Sequence, residues 1–153
     1  MESQNKKREE EMASVSIDLE GLVVAFDDES PARSYYLDRD TGKVFSFLED
    51  HVDAETEEIA WQIEADGGKR YLPVPKLTLE EELKEQDAFV ESLDDGELKA
   101  KVAKVIESDH DGSQFQDLVV RHRETREKWR AYYRGRSRER ADLWLKSLGL
   151  IAS

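Results

Sequence analysis

Apolar residues recur at helical spacing in most of this chain and alternate with polar ones in only a few places. From Ser16 onward, Leu19, Leu22, Val23 and Phe26 share one helical face. Ser16 is placed to cap that helix, and Asp18 and Glu20 fall in its first turn, where the helix dipole favours acids. A short amphipathic helix ending near Asp27 is predicted, and Pro31 breaks the pattern beyond it. SYYLD and KVFSFLE then read as two strands around the turn Arg39, Asp40, Thr41, Gly42. Gly42 supplies the positive φ of a tight connection, and Asp40 can accept backbone hydrogen bonds inside it. Asp53 is placed to cap a second helix through about Glu64, with Thr56, Ile59 and Ile63 on one face. The alternation Ile59, Trp61, Ile63 leaves a strand paired across Gly67 and Gly68 as the competing reading. YLPVP suits an edge strand, because its prolines favour extended backbone and lack donors, and it can make the hairpin three-stranded.

From Thr78 the pattern is helical throughout. Thr78 with Glu81 forms a capping box before Leu79, Leu83, Phe89, Val90 and Leu93. Asp94 and Glu97 repeat that spacing before Leu98, Val102, Val105 and Ile106, and Ser108 to Gly112 ends the helix they open. Phe115, Leu118, Val119 and His122 mark a short helix. The stretch Glu124 to Gly149 reads as one long helix with Trp129, Tyr132 or Tyr133, Ser137, Ala141, Trp144 and Leu148 along a docking stripe. Both Trp129 and Trp144 are expected to bury against the helices at 78–107. The order of elements predicts an α+β fold: a small antiparallel sheet, hairpin plus edge strand, packed with a mainly helical C-terminal half. Residues 1–13 are expected to be a disordered tail and 14–150 a single domain, with 14–77 as its helix and hairpin part and 78–150 as its helical part.

Composition narrows this picture. A chain of 153 residues is one ordinary domain's length, and 38% hydrophobic against 39% charged residues is polar but still enough to fold. No apolar run approaches the ~20 residues of a membrane span, and the start MESQNKKREEEM lacks the apolar region of a secretion signal. A cytoplasmic protein is expected. The absence of cysteine excludes disulfides, thiolate metal sites and a cysteine nucleophile. The net charge of −13 is uneven: residues 1–120 carry 13 Lys and Arg against 32 Asp and Glu, or −19, and residues 121–153 carry 10 against 4, or +6.

Candidate chemistry is sparse. LDRDTG resembles the nucleophile and acid string of haloacid-dehalogenase phosphatases, but Thr41 follows Asp40 directly and the parallel sheet such a site needs is not predicted. Asp109, His110, Asp111 and Gly112 fail as a calcium loop, since glycine comes fourth rather than sixth and no acid lies at the twelfth position. A helix-connecting turn fits better. His51 and His122 stand alone, without a serine or acid at triad spacing, and no Gly-rich phosphate loop is present. No catalytic, cofactor-binding or metal-ligating set is therefore expected, and the chain is not expected to be an enzyme.

The succession YYLDRDTGKV, RYLPVP, an acidic helix containing DAFVESL, then QFQDLV, EKWRAYYRG and ADLWLKSLGL is similar to an uncharacterised bacterial protein family of the UPF kind, over about residues 15–150. The resemblance implies a fold pattern and a cytoplasmic bacterial origin, with no assigned activity. The family motif near QFQDLV begins with a further aromatic and basic residues, and in this chain Ser113 and Gln114 stand in that region, a departure that weakens any binding role carried over to that loop.

The long helix holds the remaining functional signal. Arg126, Arg130, Arg134 and Arg138 recur every fourth residue as a ridge, and Tyr132 and Tyr133 add possible stacking surfaces. Arg126, Arg130, Tyr133, Arg134 and Arg138 are the candidate partner-binding set. A protein partner is the first expectation, and a nucleic-acid regulator using the same helix is the alternative, disfavoured because the acidic body repels phosphates. A carboxylate-dependent phosphatase or hydrolase ranks below both. The competing structural account is that these arginines solvate the helix or pair with the chain's own acids.

Overall fold

The first helix, α1 (Leu19–Asp27), starts at Asp18, whose carboxylate accepts the Gly21 N–H at 3.0 Å in the computed structural model of the chain. The structure describes residues 16–48 and 53–150, so the tail expected over 1–13 and the lone His51 lie outside the described residues. The cap is Asp18 and not Ser16 because the segment before it is tied to the hairpin: the Asp18 N–H donates to the Gly42 carbonyl at 2.9 Å. Gly42 serves that approach twice. Its φ is 76°, and a Cβ there would collide with the Ser16 carbonyl.

The chain divides into two compact units, one of the residues up to Pro75 with those from Ser137 onward, the other of Lys76–Arg136. In the first, β1 (Arg33–Asp38) and β2 (Val44–Leu48) form the expected antiparallel hairpin, with Tyr35 opposite Ser46 and Leu37 opposite Val44. A third strand, β3 (Tyr71–Pro73), adds to the other side of β1 with Leu72 opposite Leu37, giving the order β2-β1-β3. Alternation then sorts the side chains. Leu37, Val44, Leu72 and Val74 join Ile17, Leu22, Val23 and Phe26 in an aliphatic core that Ala141, Leu145 and Leu150 complete. Tyr36, Phe45, Phe47 and Tyr71 form a continuous row of rings with centroids 5.7–5.9 Å apart. Between β2 and β3, α2 (Ala54–Asp66) is a helix and not the competing strand: Asp53 accepts from the Thr56 N–H at 2.7 Å, and Gly67 closes it in the left-handed region. None of its thirteen residues is buried.

In the second unit, α3 (Leu79–Ser92) opens with both bonds of the expected capping box, Glu81 N–H to Thr78 at 3.2 Å and Thr78 N–H to Glu81 at 3.1 Å. Its successor α4 (Glu97–Glu107) does not repeat the device. Gly96 occupies the cap position without a side-chain bond, so Asp94 stands too early to reach the first turn. α5 (Ser113–Arg121) follows the DHDG turn. Phe89, Val90, Val102, Phe115, Val119, Trp129 and Tyr133 fill this unit's core, where the Phe115 and Trp129 rings meet edge to face at 4.8 Å.

The last helix, α6 (Arg123–Ser147), contributes to both units. Its buried residues, Thr125, Trp129, Tyr133, Ser137, Ala141 and Leu145, fall at every fourth position, and each is 4% exposed or less. Trp129 buries against α3–α5 residues as expected. Trp144 does not: it is half-buried and meets Phe26 edge to face at 5.9 Å in the sheet-containing unit, because its segment of the helix completes that core. The result is the expected α+β fold, a three-stranded antiparallel sheet with a mainly helical C-terminal half.

Candidate protein-binding face of the long helix

Each arginine of the ridge follows a buried residue of α6 by one position, which places it about 100° round the helix from the core side. A four-residue step advances by about 400°, so the ridge and the buried row wind together by about 40° per step. The arginines nevertheless meet different neighbours along the helix. Arg126 is half-buried and donates to the Val120 carbonyl at 3.1 Å. Arg138, in the sheet-containing unit, donates to Glu20 at 2.8 Å, with both side chains half exposed or more, so the pair contributes little. Tyr133 is a core residue whose hydroxyl donates to Glu82 at 2.8 Å, which takes its ring out of the surface. Arg130 and Arg134 are exposed, and Arg130 makes no ion pair among the described residues.

The helical unit adds an arginine that the four-residue spacing does not mark. Arg136 grips Glu85 of α3 with two nitrogens, Nε to Oε2 at 3.1 Å and Nη2 to Oε1 at 3.0 Å, while the Glu85 side chain is only 12% exposed. Glu82 and Glu85 are three apart, so they share the side of α3 that meets Tyr133 and Arg136. An acidic i,i+3 pair on an otherwise apolar face was the available signal. These contacts account for some of α6's polarity as internal pairing, and the exposed residues of its first half lie on the opposite, outward side.

That outward side consists of Arg123, Glu124, Glu127, Lys128, Arg130, Ala131, Arg134 and Gly135. Arg123 pairs with Glu127 at 3.0 Å. Ala131 and Gly135 are four apart and therefore adjacent on the surface, forming a shallow notch beside Lys128, Arg130 and Arg134. A Cβ added at Gly135 would meet nothing within 4 Å, so internal packing does not require the glycine. Backbone at such a notch can approach closely, and guanidinium groups beside it suit carboxylates.

The aspartates Asp38, Asp109 and Asp111 of the sequence motifs are committed to structure. Asp38, at the end of β1, receives Arg70 Nε and Nη2 at 2.9 Å each and the Asp40 N–H at 3.0 Å. The Arg70 bonds hold its carboxyl below the usual range and outweigh burial, which acts the other way. Asp38 therefore clamps the hairpin turn to β3, and both its oxygens are occupied. Asp109 accepts the Gln114 and Phe115 N–H groups at 3.3 and 2.9 Å, and Asp111 accepts that of Ser113 at 3.0 Å, so DHDG is a turn that caps α5. His122 is explained likewise. Its Nδ1 accepts the Thr125 N–H at 3.3 Å as its carbonyl accepts that of Arg126, making it the cap of α6. Among the described residues, no three or more His, Asp or Glu side chains are placed to hold a metal ion. An open hollow of about 440 Å³ between α4 and α5 contains Lys101, Arg121 and His122, but Arg121 is paired with Asp117 at 3.2 Å. No helix among the described residues is long and apolar enough to cross a membrane.

A family model described as "Uncharacterised protein family (UPF0158)" matches residues 12–151. Three chlamydial relatives, each named only as a UPF0158 protein, match over 127 residues. The protein of Chlamydia trachomatis serovar D is 32% identical, covering 82% of this chain and 38% of the relative. Those of Chlamydia pneumoniae and Chlamydia muridarum are each 31% identical, covering 82% of this chain and 39% and 38% of the respective relatives. The chain thus spans less than two-fifths of the length of the curated relatives it matches. No solved structure matches.

Proposed function

Since the chain belongs to the uncharacterised protein family UPF0158, we propose from its own surfaces that it is a non-enzymatic protein, cytoplasmic in its bacterium, that binds another protein through Lys128, Arg130, Ala131, Arg134 and Gly135 of α6. Gly135 carries the reading. A glycine inside a helix costs about 1 kcal/mol relative to alanine, and here no neighbour needs the missing Cβ. A partner backbone seated in the notch would use that space, and acidic residues beside it would meet Arg130 and Arg134. The engagement of Asp38, Asp109, Asp111 and His122 in caps and clamps supports a binding role over a catalytic one. The burial of Tyr133 lowers the nucleic-acid alternative, which needs exposed rings for stacking.

Affinity capture from a bacterial lysate, comparing the wild-type chain with Gly135→Leu and with Arg130→Glu/Arg134→Glu, tests this. Both variants alter exposed positions: the arginine variant should retain the wild-type circular dichroism melt and Gly135→Leu should melt no lower than wild type, while both lose the same partner. Unchanged capture by both would sink the proposed face. A salt-sensitive gel shift with DNA or RNA, abolished by the double arginine change, would put the nucleic-acid reading in its place. A hydrolytic activity lost on Asp38→Asn would overturn the non-enzymatic reading.

A further inference from the structure

A second surface, on α2, is independent of the α6 face. Trp61 is 70% exposed, the most exposed of the large apolar side chains described. Its ring makes no aromatic or cation contact among the described residues. Ile59 and Ile63, half-buried, lie two positions either side of it and therefore about 200° round the helix, so the indole points away from the face that α2 turns inward. At its helical-neighbour positions stand Glu57 and Glu58, one turn before, and Glu64 and Ala65, one turn after, all exposed. The helix sequence AETEEIAWQIEAD has five acids and no lysine or arginine.

Helix stability accounts for only some of this acidity. Glu55 and Glu57 sit in the first turn, where they complement the dipole. Asp66 accepts the Arg70 and Tyr71 N–H groups at 2.7 and 3.0 Å, which holds its carboxyl low and joins the helix end to β3. Glu58 and Glu64, three residues before and after Trp61, have neither role, and Glu64 lies toward the C-terminal end, where the dipole favours cations. An exposed indole between two carboxylates is a receptor for a cation that carries its own apolar stem. The ring face attracts the charge, the methylenes cover the ring, and the carboxylates neutralise the head group.

We propose that the Trp61 face of α2 docks a Lys/Arg-rich polypeptide segment, with one cationic side chain lying on the indole and others meeting Glu57, Glu58 and Glu64. Charge complementarity selects this occupant. A phosphate backbone would be repelled by the same carboxylates, and a second copy presenting this face would oppose like charges. The −19 balance of residues 1–120 also draws a basic segment in from a distance.

The test uses the full chain and a ten-residue peptide of alternating lysine and arginine. Trp129 is 2% exposed and Trp144 half-buried, so acrylamide quenching reports mainly on Trp61. The peptide should shield that emission. Trp61→Ala should weaken binding, measured calorimetrically, by about tenfold, while Trp61→Phe keeps most of it because a ring face remains. Glu58→Gln/Glu64→Gln should weaken binding and flatten its salt dependence. All three positions are exposed, so the variants should melt as wild type does. Equal affinity for wild type and Trp61→Ala would show only the general attraction of an acidic chain, and the proposal would fall. It would fall equally if the peptide left Trp61 unshielded while single-stranded DNA, or a rise in protein concentration alone, shielded it. Loss of the lysate partner on Gly135→Leu bears on the α6 face only, so the two proposals fail separately.

Discussion

In the sheet-containing unit the buried side chains are mostly aliphatic, Ile17, Leu22, Val23, Leu37 and Leu145, whereas in the helical unit Phe89, Phe115, Trp129 and Tyr133 surround three valines. Branched aliphatic groups pack without strong orientation. The aromatic set instead adopts edge-to-face, tilted and stacked pairs, with Trp129 in contact with Phe89, Phe115, Tyr132 and Tyr133 at centroid distances of 4.8–6.2 Å. The polar ties differ in the same sense. The helical unit fastens α6 to α3 through Tyr133 to Glu82 and Arg136 to Glu85, and the sheet-containing unit fastens a turn to a strand through Asp38 and Arg70. Stability in one unit is thus concentrated on a single ring, and in the other it is spread over many small contacts.

The strongest way to break this comparison is to remove one tryptophan from each unit. Trp129→Ala empties the centre of the aromatic cluster and should cost about 3–5 kcal/mol in urea unfolding followed by circular dichroism. Trp144→Ala removes a half-buried ring that packs on Phe26, and its cost should be about 1–3 kcal/mol. If Trp144→Ala proved the costlier change, the helical unit would not depend on one ring as described.

Gly135→Ala should move stability the other way. Its Cβ would meet no atom and α6 would gain intrinsic helix preference, so the unfolding midpoint should rise by an amount equivalent to about 1 kcal/mol. A loss of stability there would mean that the notch is needed internally, which would undercut its assignment to a partner.

The smallest effect at neutral pH is acid dependence. Arg70 lowers the Asp38 carboxyl in the folded chain below its unfolded value near 4. The stabilisation this linkage provides is present above that unfolded value and is lost as pH falls through the folded one. Asp38→Asn should therefore narrow the gap between unfolding midpoints at pH 7 and pH 3, and an unchanged gap would show that the Arg70 pairing contributes no acid dependence. Asp111 in the helical unit is also lowered, first by its bond to Ser113, so some acid sensitivity should survive the change.

Local chemistry made much of the fold legible. The hairpin follows from Gly42 and the flanking alternation, β3 from its prolines, α2 from Asp53, and α3 from Thr78 with Glu81. Each signal lies within a few residues of the feature it forms. The failures involve distant partners. Ser16 lost the cap to Asp18 because of a backbone bond to Gly42, and Trp144 went to Phe26 because its part of α6 completes the sheet-side core. The choice between Tyr132 and Tyr133 was also settled by packing, since the buried positions keep a strict four-residue step through Tyr133. Of the candidate set, Arg130 and Arg134 were legible as surface cations. The notch at Ala131 and Gly135 was not, because a glycine inside a helix gives no sign of what surrounds it.

The discontinuity of the sheet-containing unit has a consequence for its biosynthesis. Leu22, Val23 and Leu37 leave the ribosome early, yet Ala141 and Leu145, which complete their core, are translated about 70 residues after Pro75. At roughly 5–20 residues per second that interval lasts about 4–14 s. The residues Lys76–Arg136 are complete before it ends, so the unit begun first is finished last. During the wait its aliphatic side chains lack their final cover, and the apolar surface they will later bury stays in contact with water.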